Sequence, residues 1–394
     1  MGEKRSFLVN VAAMPLTLGI AFVAFTTQFG GGFASGAQIY AYFINYGIWC
    51  LIFPIITQGL YAIFFWYLMR YAYKHKTYDY RSFSDKFYGK TRYVMSNLFE
   101  ITYLIMIFTA SAAAFATGGS TINTLFHVPY WLCTLIIAAF IFFIAMFGTK
   151  VVRSAASTLS VLILIGLLLV LIPNIIAQHA AIGESISKMA GGQSSVMVAA
   201  GQKTGVGMAL WMSVLYFFFQ LPSASVLYQH MESVTDKKQI NRAAIGIFVC
   251  NFLAMELSVI GLLAVAFLPA LAKASVPMLI LVQNGVGAKV FTPIIALLMI
   301  FGAISTAVNM ISGIVTRCVN AVERRKADDA ARAAGHLGRN AIFTLIFTFI
   351  AFAIAQFGLM AVISKGYSYL GYAGLITLFI PIIIQMIATK GKDI

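Results

Sequence analysis

The sequence predicts an all-α polytopic membrane protein of ten transmembrane helices. They form two five-helix repeats of opposite orientation, each led by an interrupted helix. Three observations carry this expectation. Of 394 residues, 61% are hydrophobic and 10% charged, against roughly 25% charged in soluble domains, and the apolar residues fall into successive membrane-length runs. Two of those runs hold helix breakers near their middle, Gly30-Gly31-Gly32 in the first and Pro222 in the sixth. Finally, lysine and arginine sort to alternate connections once ten spans are drawn.

Span 1 is expected from Val11 to about Ile44. Three consecutive glycines are poor helix formers and should cost it its hydrogen-bond ladder at Gly30 to Gly32. The preceding GEKR is not followed by an A-x-A-like cleavage pattern, so this span is expected to remain in the mature protein. Span 2 runs from Trp49 to about Tyr71. The polar stretch Tyr73 to Tyr93 follows, with Ser82 to Phe87 as a short interfacial helix. Span 3 is about Ser96 to Thr117, and span 4 about Pro129 to Phe147. Gly148 to Arg153 reads as a tight turn, and span 5 as about Ala155 to Ile176. The connection Ala177 to Thr204 should carry a helix around Ser185 to Met189.

Span 6, Gly205 to Met231, contains Pro222, which lacks an N–H and clashes with the preceding turn. Span 7 is about Ile240 to Leu268. Ser275 to Asn284 is too short to cross and reads as a re-entrant or surface helix. Spans 8, 9 and 10 are about Phe291 to Val319, Asn340 to Ile363 and Tyr369 to Ala388. The repeats are then residues 11–178 and 205–388 of one integral membrane domain.

With the N-terminus inside, only Lys188, Lys203, Lys273, Lys289 and Lys365 of the 27 basic residues fall outside. Basic residues gather on the cytoplasmic side, so both termini are placed there. The net charge of +15 then reads as an orientation and anionic-lipid signal, and no nucleic-acid partner is expected. Cys50, Cys133, Cys250 and Cys318 form no CxxC or zinc spacing. No Ser-His-Asp arrangement, HExxH or Walker loop appears, so no enzyme and no cofactor are expected.

The repeat follows from the breaks and the loops. Five spans separate Gly30 from Pro222, which inverts the second half. The long links between spans 2–3 and 7–8, and the short ones between 4–5 and 9–10, fall on opposite sides. Paired breaks of this kind mark binding sites at the membrane midplane. The stretch GGGFASGAQ followed by Tyr46-Gly47 resembles the glycine-rich first helix of the YkvI-like bacterial membrane proteins. That family is placed with the amino acid–polyamine–organocation transporters of leucine-transporter-type fold. The resemblance implies that fold, a bacterial inner-membrane location and transport of an amino acid. The family has Gln-Glu where this chain has Ala37-Gln38, so an amide replaces a carboxylate.

At a broken helix, free carbonyls attract a cation and free amides an anion. Gly30, Gly31, Gly32 and Phe33 are therefore substrate candidates, with Ser35 capping the second half-helix. The alternative for the glycines is a small-residue packing face. Tyr216, Phe219, Gln220 and Ser223 flank the second break, and Tyr103 and Met106 offer an opposite wall. By the resemblance, Ser305 and Thr306 are similar to the adjacent hydroxyls that complete a sodium site with carbonyls of span 1, here Phe29 and Gly32. Glu256 and Glu100 are embedded acids, and embedded acids are commonly functional. Each is a proton-coupling candidate; Glu100 has an ion pair with a nearby basic residue as its structural alternative.

The expected function is an ion-coupled secondary transporter, a symporter, of a small organic solute by alternating access. Its partners are the solute, sodium or protons, and membrane lipid; a homo-oligomer is compatible. A channel or a non-transporting sensory or structural membrane protein is the competing class.

Overall fold

The computed structural model of this chain describes residues 15–147, 149–323 and 335–394. Every described secondary-structure element is helical. In chain order these are α1 (Leu16–Gln28), α2 (Gly31–Ala34), α3 (Ala37–Tyr42), α4 (Phe53–His75), α5 (Tyr80–Tyr88), α6 (Arg92–Phe126), α7 (Tyr130–Phe147), α8 (Thr149–Ala177) and α9 (His179–Ala190). There follow α10 (Val206–Gln220), α11 (Lys237–Leu263), α12 (Pro277–Gln283), α13 (Ala288–Glu323) and α14 (His336–Ala355). The last, α15 (Leu359–Thr389), is one helix with two π-helical turns, Val362–Gly366 and Leu375–Phe379.

This corrects the ten-span, two-repeat expectation. Among the described residues, six helices are long and apolar enough to cross a membrane, or seven if the bent pair α8–α9 is one span. The six are Tyr80–Phe126, Val206–Ser233, Lys237–Leu263, Ala288–Glu323, His336–Ala355 and Leu359–Thr389. The protein is an all-α polytopic membrane protein, but not a set of ten equivalent spans. The reasons are local. α1 has 13 residues, about 20 Å of helix against a hydrocarbon core of about 30 Å. α4 has the length but is diluted by Gln58, Arg70, Lys74 and four tyrosines. The apolar stretch of α7, Tyr130–Met146, is short.

The sharp bend also lies elsewhere than expected, 77° between Val161–Ala177 and His179–Ala190. At Pro222 the backbone does not part. It continues from α10 into a 13-residue 3-10 helix, Leu221–Ser233, a form seldom sustained beyond one turn. The expected turn at Gly148 to Arg153 is occupied from Thr149 by α8; Gly148 itself, the start of span 1 before Pro15, and the basic run 324–334 lie outside the described residues. The short helix expected near Ser275 is α12, and it is buried, with Met278, Leu279 and Leu281 inaccessible.

The packing that positions the site is close. α6 and α13 lie side by side, and α6 presents Ser111, Ala112, Ala113 and Ala114, all buried. Small residues let membrane helices approach. α15 meets α10 backbone to backbone, since a Cβ added at Gly374 would sit 2.3 Å from the Phe218 carbonyl. One end of the bundle is basic. There Trp66 donates to Asn241 (2.7 Å), Lys237 to the Ile394 carbonyl (3.3 Å), and Arg317 pairs with Glu100 (2.7 Å). At the far end Ser195 donates to Asn45 (2.7 Å), and Gln202 reaches the Tyr46 hydroxyl (3.3 Å).

Candidate functional site

The site is built around the gap between α1 and α2. The last ladder bond of α1 is Phe29 N–H to the Phe25 carbonyl, 2.8 Å. Gly30 is extended (ψ 177°), and α2 restarts at Gly31. Among the described residues, neither the Phe29 carbonyl nor the Gly30 N–H has a hydrogen-bond partner. Both residues are buried, where unpaired backbone groups are rare. The chain turns again at Gly36, whose φ of +80° suits glycine. Next to it the Ser35 carbonyl accepts from Met278 N–H at 2.9 Å, so α12 is pinned against the α2–α3 junction.

The three glycines have different surroundings. Gly30 faces Thr306: a Cβ added there would lie 3.9 Å from Thr306 Oγ1. Gly31 is a packing glycine, its added Cβ 2.8 Å from Thr117 Oγ1 and 3.2 Å from Ala114 Cα. Gly32 lies against Gln38 and Ile363, and its carbonyl accepts from Ser35 Oγ at 2.9 Å. Ser35 Oγ also accepts from Ala37 N–H at 3.3 Å, so it serves α3 rather than α2.

A cavity of about 580 Å³ reaches this gap, within the usual range for small-molecule sites. α1 contributes Thr26 and Thr27, and Phe29 follows at its end; α13 contributes Ser305, Thr306, Asn309 and Ser312; Tyr103 comes from α6, and Gln229 and His230 from the 3-10 helix. The structure thus brings together Phe29, Tyr103, Ser305 and Thr306 of the sequence candidates. Its described lining contains no Asp, Glu, Lys or Arg. Tyr103 stacks on Tyr80, centroids 4.8 Å apart, and the Tyr80 hydroxyl donates to Glu100 at 2.8 Å. The cavity therefore runs from the gap toward the basic end.

A second group of candidates lies apart from that cavity. Tyr216 and Phe219 pack against each other (4.6 Å) and against Tyr42, and Phe219 against Tyr367 (4.7 Å). Gln28 donates to the Tyr216 hydroxyl at 3.4 Å, and that hydroxyl donates to Gln38 Oε1 at 3.3 Å. One chain of polar contacts thus ties α1, α10 and α3 across the gap. Phe33 touches Phe29 (4.8 Å) and lines a small void with Gln28 and Asn251. Gln220 and Ser223 are tied to each other, Ser223 Oγ donating to the Gln220 carbonyl at 2.6 Å. Met106 is buried outside the cavity lining.

The two acids differ. Glu100 is held by Arg317 (2.7 Å) and Tyr80, and the Arg317 guanidinium lies 4.4 Å over the Tyr80 ring. Glu256 is half-buried in α11, and its Oε2 is buried without a hydrogen-bond partner.

Sequence reasoning missed Thr26, Thr27, Gln229, His230 and Ser312 as lining, and Gln28 with Asn251 as buried amides. Gln28 Oε1 and both polar atoms of the Asn251 side chain lack partners. The available signal was polar residues inside otherwise apolar helices, which cost energy in hydrocarbon.

No protein-family model matches the chain, and no curated protein matches it. Among solved structures, a sodium-coupled sialic acid symporter in a substrate-bound, outward-open state aligns over 97% of this chain and 85% of its own, at 13% identity and a TM-score of 0.58. A manganese transporter of Eremococcus coleocola aligns over 99% of this chain and 73% of its own, at 16% identity. Its TM-score of 0.44 is too low to support an argument. These proteins are transporters by name, not enzymes. The first likeness gives this chain the overall fold of a membrane transporter.

Proposed function

We propose that this protein is a secondary active transporter of a small organic solute, an amino acid, driven by sodium and working by alternating access about the gap between α1 and α2. The observation that carries the reading is the cavity of about 580 Å³ ending at a gap where the carbonyl of buried Phe29 and the amide of buried Gly30 are both unpaired among the described residues. Phe29 O, Ser305 Oγ and Thr306 Oγ1 form the ion site of this proposal. Hydroxyl and carbonyl oxygens are hard donors suited to an alkali cation, and Ser305 Oγ has no partner among the described residues. The aromatic group of Tyr216 and Phe219 closes the far side. Gly30 to Gly32 and Phe33 shape the gap, Ser35 fixes it, and Gln220 with Ser223 set the start of the 3-10 helix.

The YkvI-like stretch Gly31 to Gln38 and the basic end support a bacterial inner membrane with that end and both termini cytoplasmic. The fold shared with a sodium-coupled symporter supports ion coupling. A second reading takes the coupling ion to be a proton on Glu256, favoured by its unpartnered Oε2.

Reconstituted uptake of a labelled amino-acid mixture, under separately imposed sodium and proton gradients, tests the proposal. Sodium-driven accumulation is expected, and Ser305→Ala with Thr306→Val should raise the sodium needed for half-maximal uptake about tenfold, the loss of one to two good ligand contacts. Equal uptake with and without sodium would reject sodium coupling. Loss of proton-driven uptake in Glu256→Gln alone would favour the second reading.

A further inference from the structure

Three of the cavity's hydroxyl groups are not free to act as both donors and acceptors. A hydroxyl has one donor and two acceptor positions. Thr26 Oγ1 donates to the Phe22 carbonyl at 2.9 Å and Thr27 Oγ1 to the Val23 carbonyl at 2.7 Å, both in α1. Ser312 Oγ donates to the Asn309 carbonyl at 3.3 Å in α13. Each donor is used within its own helix, so what these groups offer the cavity is lone pairs. The patch made by these three hydroxyls is therefore uncharged and acceptor-only, and it cannot hydrogen-bond a carboxylate or phosphate; the donors of the lining lie elsewhere, on Gln229, His230, Asn309 and Ser305. The patch suits a group that brings several donors, and a primary ammonium brings three.

Position agrees with chemistry. Thr26 precedes Phe29 by three residues, about 4.5 Å along the helix axis. An amine on Thr26 and Thr27 would therefore lie about one helical turn from the gap that follows α1. The described lining supplies no carboxylate to neutralise a second positive charge, so the subsite fits the amine of a net-neutral solute.

We infer that Thr26 and Thr27 of α1, with Ser312 of α13, are the subsite that takes the protonated amine of the transported solute. This rests on the transporter reading above. Sodium also binds hydroxyl oxygens, so the test must vary hydrogen-bond donors at constant charge. Glycine, N-methylglycine, N,N-dimethylglycine and trimethylglycine keep one carboxylate and one positive nitrogen while the N–H donors fall from three to none. Each is used to compete with sodium-driven uptake of the labelled amino-acid mixture in proteoliposomes. Potency should fall along the series, with trimethylglycine at least about tenfold weaker than glycine, as expected for losing charged hydrogen bonds. In Thr26→Val/Thr27→Val, which keeps the side-chain shape, the spread should shrink to under about threefold while the sodium requirement stays unchanged. A flat or rising series in the unaltered protein, with uptake intact, overturns this subsite and leaves the transporter reading standing. A valine variant that shifts the sodium requirement but keeps the spread assigns the threonines to the ion and also overturns it. Absence of uptake under every gradient overturns the transporter reading itself.

Discussion

At the scale of single residues, the contacts across the gap are hydrogen bonds between uncharged groups. Tyr216 links Gln28 to Gln38, and all three are buried. Tyr216→Phe would leave two buried amides short of a partner, at about 1–3 kcal/mol. Thermal unfolding of the purified variant should show that loss, and an unchanged midpoint would mean the chain of contacts holds nothing. Close-approach glycines give a sharper contrast. Gly374→Ala drives a methyl against the Phe218 backbone, whereas nothing lies within 4 Å of a Cβ on Gly59. The first should lose about 1–3 kcal/mol of stability by overpacking; the second should be neutral or slightly stabilised, because alanine is the better helix former.

The interruption at Gly30 was legible in the sequence because three glycines stand in an apolar run. The separate duties of those glycines were not, since Gly31 is fixed by Thr117 and Ala114 on α6, far along the chain. Ala37-Gln38 read as the loss of a carboxylate. In the fold Gln38 is a positive feature: it fills the space over Gly32 and receives the Tyr216 hydroxyl.

At the scale of elements, two junctions secure the basic end. Glu100 joins α6 to Arg317 of α13 and Tyr80 of α5. Because both charges are only partly exposed, removing one partner should cost more than removing both. Arg317→Met should therefore destabilise more than Glu100→Gln/Arg317→Met, by about 1 kcal/mol, read in the same unfolding assay. An equal loss in both would show that the pair contributes only packing.

The second junction is Asp393, which lies beyond α15. It accepts hydrogen bonds from Tyr67 of α4 and from Thr389 (2.7 Å). Burial pushes its carboxyl up, but the Tyr67 and Thr389 hydroxyls outweigh that and hold it below the usual carboxylate range. A carboxyl lowered in the folded state stabilises the fold above its unfolded pKa, and that stability is lost as pH falls through the folded value. Unfolding temperature should thus drop on acidification below about pH 4, and Asp393→Asn should flatten that part of the profile. An Asn variant with the full acid dependence would assign it to other groups.

The element pattern also shows where the sequence was ambiguous. Pro222 announced an irregularity, but a proline plus serines that bond to i−3 carbonyls tightens the helix as readily as it breaks it. Ser223 and Ser225 bond in that way, and the 3-10 helix follows. The 77° bend after Ala177 falls where span 5 was expected to end, with Pro173 one turn before it; what the sequence did not show is that α9 follows after Gln178 alone.

At the scale of the whole molecule, the cavity approaches the basic end, while the other side of the gap is packed with aromatic rings. Asp393 is the single charged side chain among the buried described residues, so the interior near the gap is polar but uncharged. Composition made the membrane class legible, because apolar runs need only be counted. It overstated the number of membrane-length helices, since one apolar run can be divided among short helices; α1 stops at Gln28, just before the glycines that marked the break, and has 13 residues.

The most direct test of the account is accumulation of a labelled amino-acid mixture in proteoliposomes holding the full chain, with an inward sodium gradient and then without it. The account predicts uptake above the equilibrium level with the gradient, collapse to equilibration without it, and a raised sodium requirement in Thr306→Val. Accumulation that ignores sodium, or no saturable uptake under any gradient, would contradict it.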